Sequence, residues 1–245
     1  MTFEQRAGLP PEAGPTPGPA SGSIPTPVQI RLQILSTEHW SLLASRSLAW
    51  NESFTRAGMF LSTLSGAIVA LSLIGGVDGF SDSFLNVALV VLPVVLFVGV
   101  GTWLRMAAAN YHDAMTVFGM NRIRAAYLEV APELAPYFVM GTHDDPAGIG
   151  ITMAVPPGTA PWVHLVAGTP TLVIVLNGVL AGAIVALAAI RFLSVPGALG
   201  LAAAVVAAVL VIAVEVQFAQ RNIRRGQLAV QPMFPTPSTG DRPEA

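Results

Sequence analysis

The chain has 245 residues and a net charge of −2, and 53% of its residues are hydrophobic while only 11% are charged. Soluble domains carry about a quarter charged residues, so this composition predicts a membrane protein, with the lipid bilayer as its first partner. The charge balance argues against nucleic-acid binding. The absence of Cys excludes disulfides, thiolate metal sites and cysteine nucleophiles. All twelve Lys and Arg positions are Arg, which is typical of a GC-rich bacterial genome.

The two ends of the chain have a composition that predicts disorder. Residues 1–27 are dense in Pro and Gly, and such a segment cannot bury enough apolar area to fold. The stretch from Pro232 onward has the same character. We therefore expect a disordered tail at 1–27 and a cytoplasmic tail at 220–245.

A short alternating pattern follows the first tail. Apolar and polar residues alternate with a period of two at 28–35, and residues 149–155 show a similar spacing. This period is typical of strands, and a lone strand is not stable. The pattern predicts a small cytoplasmic β element, formed within or between chains. Residues 28–56 are then a strand plus a helix that begins near Ser36, a residue type that favours helix starts.

Four windows are long and apolar enough to cross a membrane. A hydrocarbon core of about 30 Å requires about 20 helical residues, and open strand edges are not tolerated in lipid. The sequence therefore predicts an all-α integral membrane protein with four transmembrane helices. The windows are 57–76, 84–104, 165–190 and 197–219.

The distribution of Arg predicts how these helices are oriented. Eight Arg residues lie closest to one side of the windows, and one, Arg191, lies between the third and fourth. The eight are Arg46, Arg56, Arg105, Arg122, Arg124, Arg221, Arg224 and Arg225. Because cytoplasmic loops are enriched in basic residues, both termini and residues 105–164 are expected in the cytoplasm. The chain then forms two transmembrane hairpins, 57–104 and 165–219, in a bacterial plasma membrane.

The first hairpin is expected to extend into the cytoplasm as two packed helical stalks. Each stalk carries an apolar stripe that spans a narrow arc of a helical wheel. Antiparallel packing would place residue n near roughly 159 − n. The stripes are Trp40, Leu43, Trp50 and Phe54 on one stalk, and Leu104, Ala108, Tyr111, Met115, Phe118 and Ala125 on the other.

Arg122 lies in the centre of the second stripe, with Glu129 on the same side. A charge on a packing face is costly unless it is paired. In the expected register Glu38 and His39 lie near Arg122, so one interpretation is an ion pair between the stalks, with Glu38 as the partner. The other is a binding site for an anion, a lipid headgroup or an acidic partner.

Histidines next to acids invite a metal-site interpretation. The pairs are Glu38-His39 and His112-Asp113, and His143-Asp144-Asp145 forms a third group. Adjacent side chains on a helix diverge by about 100°, and bundle metal sites require Glu-x-x-His spacing. We therefore expect no metal, interpret Asp113 as pointing away from the stripe, and interpret 143–145 as a solvated turn.

Three residues within the apolar windows stand out. Glu215 lies near the cytoplasmic end of the fourth window. It either reaches the membrane surface or pairs with a nearby Arg, or it lines an ion pathway. Gly178 and Gly182 have the Gly-x-x-x-Gly spacing that lets helices approach closely. Their expected partner is the fourth window, where Ala204 and Ala208 share that spacing, or another subunit.

No sequence motif predicts catalysis. The chain lacks a Gly-rich phosphate loop and a Gly-x-Ser-x-Gly nucleophile, so we predict no catalytic residues, no enzyme activity and no cofactor. The leading hypothesis is a non-enzymatic, oligomeric scaffold whose cytoplasmic module docks a partner or a second copy of the chain. The alternative is an oligomeric ion channel or pore-forming effector, with Glu215 near its inner mouth.

Overall fold

The computed structural model describes residues 26–79, 81–153, 168–193, 195–229 and 231–237. Within these ranges all regular structure is helical. Four of the helices are long and apolar enough to cross a membrane, which confirms the prediction of a helical protein with four such elements. The helices are α1 Pro27–Asp78, α2 Asp82–Val130, a 3₁₀ helix Pro132–Tyr137, α3 Pro146–Thr152, α4 Thr169–Ala188 continued by a π-helical turn Ala189–Leu193, and α5 Gly197–Ala229.

The predicted β element is wrong. Residues 28–35 lie inside α1, and residues 149–152 lie inside α3. Residues 154 and 155, like residues 1–25 of the predicted disordered tail, lie outside the described residues. The period-two pattern at 28–35 therefore does not mark a strand, and α1 begins well before the helix start expected at Ser36.

The reason is a helix start signal just before the alternating pattern. The Thr26 side chain accepts a hydrogen bond from the backbone N–H of Gln29 (3.3 Å), and the Thr26 backbone N–H donates to Gln29 Oε1 (2.6 Å). This reciprocal capping box satisfies two amides at the start of a helix. Pro27 occupies the first turn, where its missing N–H costs nothing. These local interactions start α1, whatever the spacing of the apolar residues that follow.

α1 and α2 lie side by side and run in opposite directions. Three ion pairs connect them, and the residue numbers in each pair add to between 157 and 160. These sums are close to the roughly 159 expected for the antiparallel register. The pairs are Arg31–Glu129 (2.8 Å), Arg46–Asp113 (2.6 Å) and Glu52–Arg105 (2.8 Å).

The face of α1 that meets α2 coincides with the predicted aromatic stripe only at its edge, where Trp50 donates to Asp113. Trp40 is 68% exposed, and Leu43, Trp50 and Phe54 are also exposed. The buried positions of α1 instead include Ser53, Ala57 and Phe60. The small side chains of Ser53 and Ala57 allow two helices to approach closely, so the bulk and hydrophobicity of the side chains did not identify the contact face.

The position of Asp113 on α2 also differs from the prediction. Its carboxylate is buried and accepts hydrogen bonds from Arg46 Nε (2.6 Å) and Trp50 Nε1 (3.2 Å). It was expected to point away from the helix contact. A buried carboxylate with two donors on α1 can lie in the interface because its charge is paired and hydrogen-bonded.

The remaining helices pack in sequence, α2 against α4 and α4 against α5. α5 also reaches α2 along its second half. The Trp103 ring meets the Phe218 ring edge-on at 5.4 Å. Further along, the Tyr111 ring lies where a side chain on Gly226 would be. The apolar core between the helices includes Phe60, Leu92, Val95, Trp103, Val173 and Leu180.

Candidate functional site

The segment after α2 folds back onto α2 through one buried amide. Asn121 is 0% exposed, and its Nδ2 donates to the carbonyl oxygen of His143 (2.7 Å). Thr152 Oγ1 donates to Asn121 Oδ1 (2.7 Å) and accepts from the backbone N–H of Gly141 (3.0 Å). Asn121 thereby fixes the loop before α3 and the end of α3 against α2.

Arg122 is paired with a carboxylate of this loop. Its Nε donates to Asp144 Oδ2 at 2.6 Å, and the Asp144 side chain is 0% exposed. The guanidinium carbon also lies 4.2 Å from the centre of the Phe118 ring, a cation–π arrangement. The expected ion pair with Glu38 is therefore wrong, and so is the interpretation of Asp144 as part of a solvated turn.

Asp144 and Arg122 together hold residues 231–237, which we call the tail segment. Asp144 accepts from the backbone N–H groups of Met233 (2.9 Å) and Phe234 (2.7 Å). Its own N–H donates to the Phe234 carbonyl (3.1 Å). Arg122 Nη2 donates to the carbonyl of Gln231 (2.7 Å). The buried ion pair thus binds the tail segment through its backbone.

Asp145 also binds the tail segment, at Thr236. It accepts from both the backbone N–H and the hydroxyl of Thr236, each at 2.9 Å. The same carboxylate accepts from the N–H of Gly148 (2.9 Å), which caps the start of α3. We call Asn121, Arg122, Asp144 and Asp145 the tail seat.

Proline spacing in the tail segment matches the donors that the seat uses. Between Pro232 and Pro237 only Met233, Phe234 and Thr236 carry a backbone N–H, because proline has none. All three donate to Asp144 or Asp145. Recognition of a peptide segment by hydrogen bonds to its main chain is a recurring mode of peptide binding.

The bound tail changes the acidity of both carboxyl groups. Burial alone would raise the pKa of Asp144, but hydrogen bonds from Arg122, Met233 and Phe234 outweigh it and hold that pKa below its usual range. At Asp145 burial would likewise raise the pKa, but hydrogen bonds from Gly148 and Thr236 outweigh it and lower the pKa. The seat is therefore built to hold two charged carboxylates.

Acid is expected to release the tail segment. Because the bound pKa values of Asp144 and Asp145 are depressed, their contribution to binding is present above the usual pKa of about 3.9 and is lost as the pH falls below it. Hydrogen exchange should show protected amides at Met233 and Phe234 at neutral pH and unprotected ones in acid. Equal protection across this range would contradict the assignment.

The other residues singled out in the first stalk and in α2 lie elsewhere. Glu38 is exposed, His39 stacks on Tyr127 with ring centres 6.0 Å apart, and Glu129 pairs with Arg31. The Arg31–Glu129 pair is about half exposed on both sides, and such pairs contribute little. Among the described residues, no group of three His, Asp or Glu side chains converges as metal ligands would.

A second polar cluster lies in the apolar part of α4 and α5. Asn177 is 0% exposed and Glu215 is 4% exposed, and Asn177 Nδ2 donates to Glu215 Oε1 at 3.0 Å. The expected Arg partner of Glu215 is therefore replaced by an amide of the neighbouring helix. A Cβ atom on Gly99 of α2 would lie 2.0 Å from Asn177 Oδ1, so this glycine makes room for the amide.

The two glycines of α4 lie against α5. A Cβ atom on Gly178 would lie 3.0 Å from the Ala208 carbonyl oxygen and 2.6 Å from the Ile212 side chain. A Cβ atom on Gly182 would lie 2.8 Å from the Ala204 carbonyl oxygen. The structure thus places α5 of the same chain, and not another subunit, against this pair.

Sequence reasoning missed Asp144 and Asn121 as site residues. Asn177 carried a clear signal, since a polar residue in an apolar helix is expected to hydrogen-bond to a neighbouring helix, as it does to Glu215. Asp144 carried a weaker one, because Asp145 directly before Pro146 marks a helix start that orders the loop. No protein-family model matches the chain, and no similar curated protein or solved structure was found.

Proposed function

We propose that the protein is a non-enzymatic membrane scaffold whose cytoplasmic module docks a proline-containing peptide segment. The observation that carries the proposal is the tail seat, where two carboxylates accept from every backbone N–H between Pro232 and Pro237 and Arg122 donates to the carbonyl of Gln231. In this structure the chain's own tail segment is the ligand. A partner or a second copy that offers the same donor spacing fits the same seat.

The proposed topology puts the seat on the cytoplasmic side. The Arg distribution supports a topology with both termini and residues 105–164 inside, with two transmembrane hairpins and with α1 and α2 continuing beyond the lipid as stalks. The ion pairs Arg31–Glu129 and Arg46–Asp113 support the stalks, since they lie beyond the apolar windows. The proposed location is a bacterial plasma membrane.

Peptide binding tests the docking function. A labelled peptide of residues 230–237 should bind a chain that ends at Ala229, and fluorescence anisotropy gives the affinity. Asp145→Ala removes two hydrogen bonds to a charged group and should weaken binding by about tenfold or more. Glu133→Ala, which removes an exposed acid before the same loop, should leave the affinity unchanged. No saturable binding would end the docking proposal.

The exposed aromatic stripe supports self-association of the scaffold. Trp40, Leu43, Trp50 and Phe54 follow the alternating three- and four-residue spacing of a coiled-coil seam, with Ser47 at the remaining position. All four side chains are exposed in one chain. A second copy that presents the same stripe fits this pattern, because symmetric dimers use one patch on both subunits.

Trp40→Glu is expected to lower the oligomer mass in detergent, as measured by light scattering. A charge in a helix–helix seam is unpaired and desolvated, which destabilises the contact. Leu48→Glu is the matched control, since Leu48 is 70% exposed against 68% for Trp40 but lies off the stripe. The same mass for both variants and wild type would exclude the stripe as the interface.

Ion conduction by an oligomer is the second candidate function. It is favoured by the buried Glu215–Asn177 pair, because ionisable residues inside membrane helices are costly and commonly functional. Purified protein that carries no current in planar bilayers would exclude this candidate and leave the docking proposal unaffected.

A further inference from the structure

The Glu215–Asn177 pair contains two acceptor atoms that have no donor. Asn177 Nδ2 donates to Glu215 Oε1, while Asn177 Oδ1 and Glu215 Oε2 are both buried and without a hydrogen-bond partner. A buried polar atom that has no hydrogen-bond partner destabilises the folded protein in an apolar medium. Two such atoms in one side-chain pair therefore call for a common explanation.

No charged group faces this carboxyl among the described residues around it. α4 presents the neutral amide of Asn177, and α2 presents Val100 and Trp103. The neighbours on α5 itself are Leu210, Val211 and Val214. A negative charge on Glu215 would have no counter-charge, and Oε2, which can only accept when the carboxyl is ionised, would remain without a donor.

One proton resolves both defects. On Oε2 it turns an acceptor into a donor, and Asn177 Oδ1 is the acceptor that lacks a donor. The carboxylic acid and the amide then form a closed pair, with N–H donating to Oε1 and O–H donating to Oδ1. We propose that Glu215 and Asn177 form a proton-binding site that holds α4 and α5 together.

The surroundings exclude a larger cation as the ligand. A cavity of about 300 Å³ adjoins Glu215, but its other lining residues are aliphatic apart from Trp103. The unpaired Oε2 is sealed from solvent. Gly99 keeps the amide in place, since any side chain there would collide with Asn177 Oδ1. Only a proton reaches the oxygen without rearrangement of the helices.

Infrared spectroscopy detects this proton directly. With ¹³C-labelled Glu, the full-length protein at neutral pH should show the carbonyl band of one protonated carboxylic acid. Glu215→Gln should abolish the band, and Asn177→Leu should shift it to higher frequency, because the O–H loses its acceptor. Absence of the band in the wild type would overturn the proposal, and an unshifted band in Asn177→Leu would overturn the shared pair.

Thermal stability in detergent gives a second, independent readout. An unfolded Glu releases its proton near pH 4.3, whereas the folded site retains it, so the folded state binds the extra proton above that pH. Stability therefore falls as the pH rises, and the wild type should lose a few degrees of Tm between pH 5 and pH 8 relative to Glu215→Gln. The variant keeps both hydrogen bonds without a titrating proton.

The comparison with Glu215→Gln isolates this site, because every His and the tail seat are common to both proteins. Parallel pH profiles of the two would overturn the proposal even if the infrared band were assigned to another residue. The inference does not depend on the docking function, since neither readout involves the tail seat.

Discussion

Replacing Arg122 with Leu is expected to lower the free energy of unfolding by about 3–5 kcal/mol, because it leaves a buried carboxylate without its charged partner. The Asp144 side chain is 0% exposed and pairs with Arg122 at 2.6 Å. Loss of Arg122 also removes the hydrogen bond to Gln231. Denaturant or thermal unfolding in detergent measures the effect.

Two controls identify the partner. Arg31→Leu removes an Arg from the half-exposed pair with Glu129 and should cost no more than about 1 kcal/mol. In double-mutant cycles, Arg122→Leu should couple strongly to Asp144→Leu and add simply with Glu38→Leu. Coupling to Glu38 in place of Asp144 would restore the pairing expected from the helix register and contradict the structure.

Gly99→Ala is expected to destabilise the helix bundle by about 1–3 kcal/mol, the usual cost of overpacking. The new methyl group would lie 2.0 Å from Asn177 Oδ1 and 2.7 Å from the Phe60 ring. Phe60 and Asn177 are both 0% exposed, so neither side chain can move into open space to relieve the collision. The melting temperature in detergent and the infrared band of Glu215 both report the disturbance.

Gly101→Ala is the matched control on the same helix. Nothing lies within 4 Å of a Cβ atom at Gly101, and Ala exceeds Gly in helix propensity by about 1 kcal/mol. The expected result is unchanged or slightly higher stability. A similar loss for both variants would mean that the effect belongs to the helix backbone and not to the contact with Asn177.

The sequence predicted the four apolar helices because length and hydropathy suffice to identify them. It also identified Arg122 as unusual, since a charge on an apolar face requires a partner. The partner could not be predicted, because Asp144 lies in a loop whose path depends on Asn121 and Thr152. Pairing by helix register pointed to Glu38 instead.

The prediction failed in a different way at α1. The aromatic residues were assigned to the helix contact, whereas Trp40 and Phe54 are exposed and the contact includes the ion pair of Arg46 with Asp113. Hydrophobicity indicates which residues avoid water but not which partner covers them. A stripe that stays exposed in one chain and a stripe that is buried within it look alike in the sequence.

The positions of proline in the tail segment determine in which register the segment can bind the seat. Shifting the segment by one residue would bring Pro232 or Pro235 opposite an oxygen of Asp144 that now accepts from Met233 or Phe234. The shifted peptide would lose a bond and leave a buried oxygen without a donor. Side chains can therefore vary while the pattern of missing N–H groups stays fixed, so other segments that fit the seat should be sought by aligning prolines before any other residue is compared.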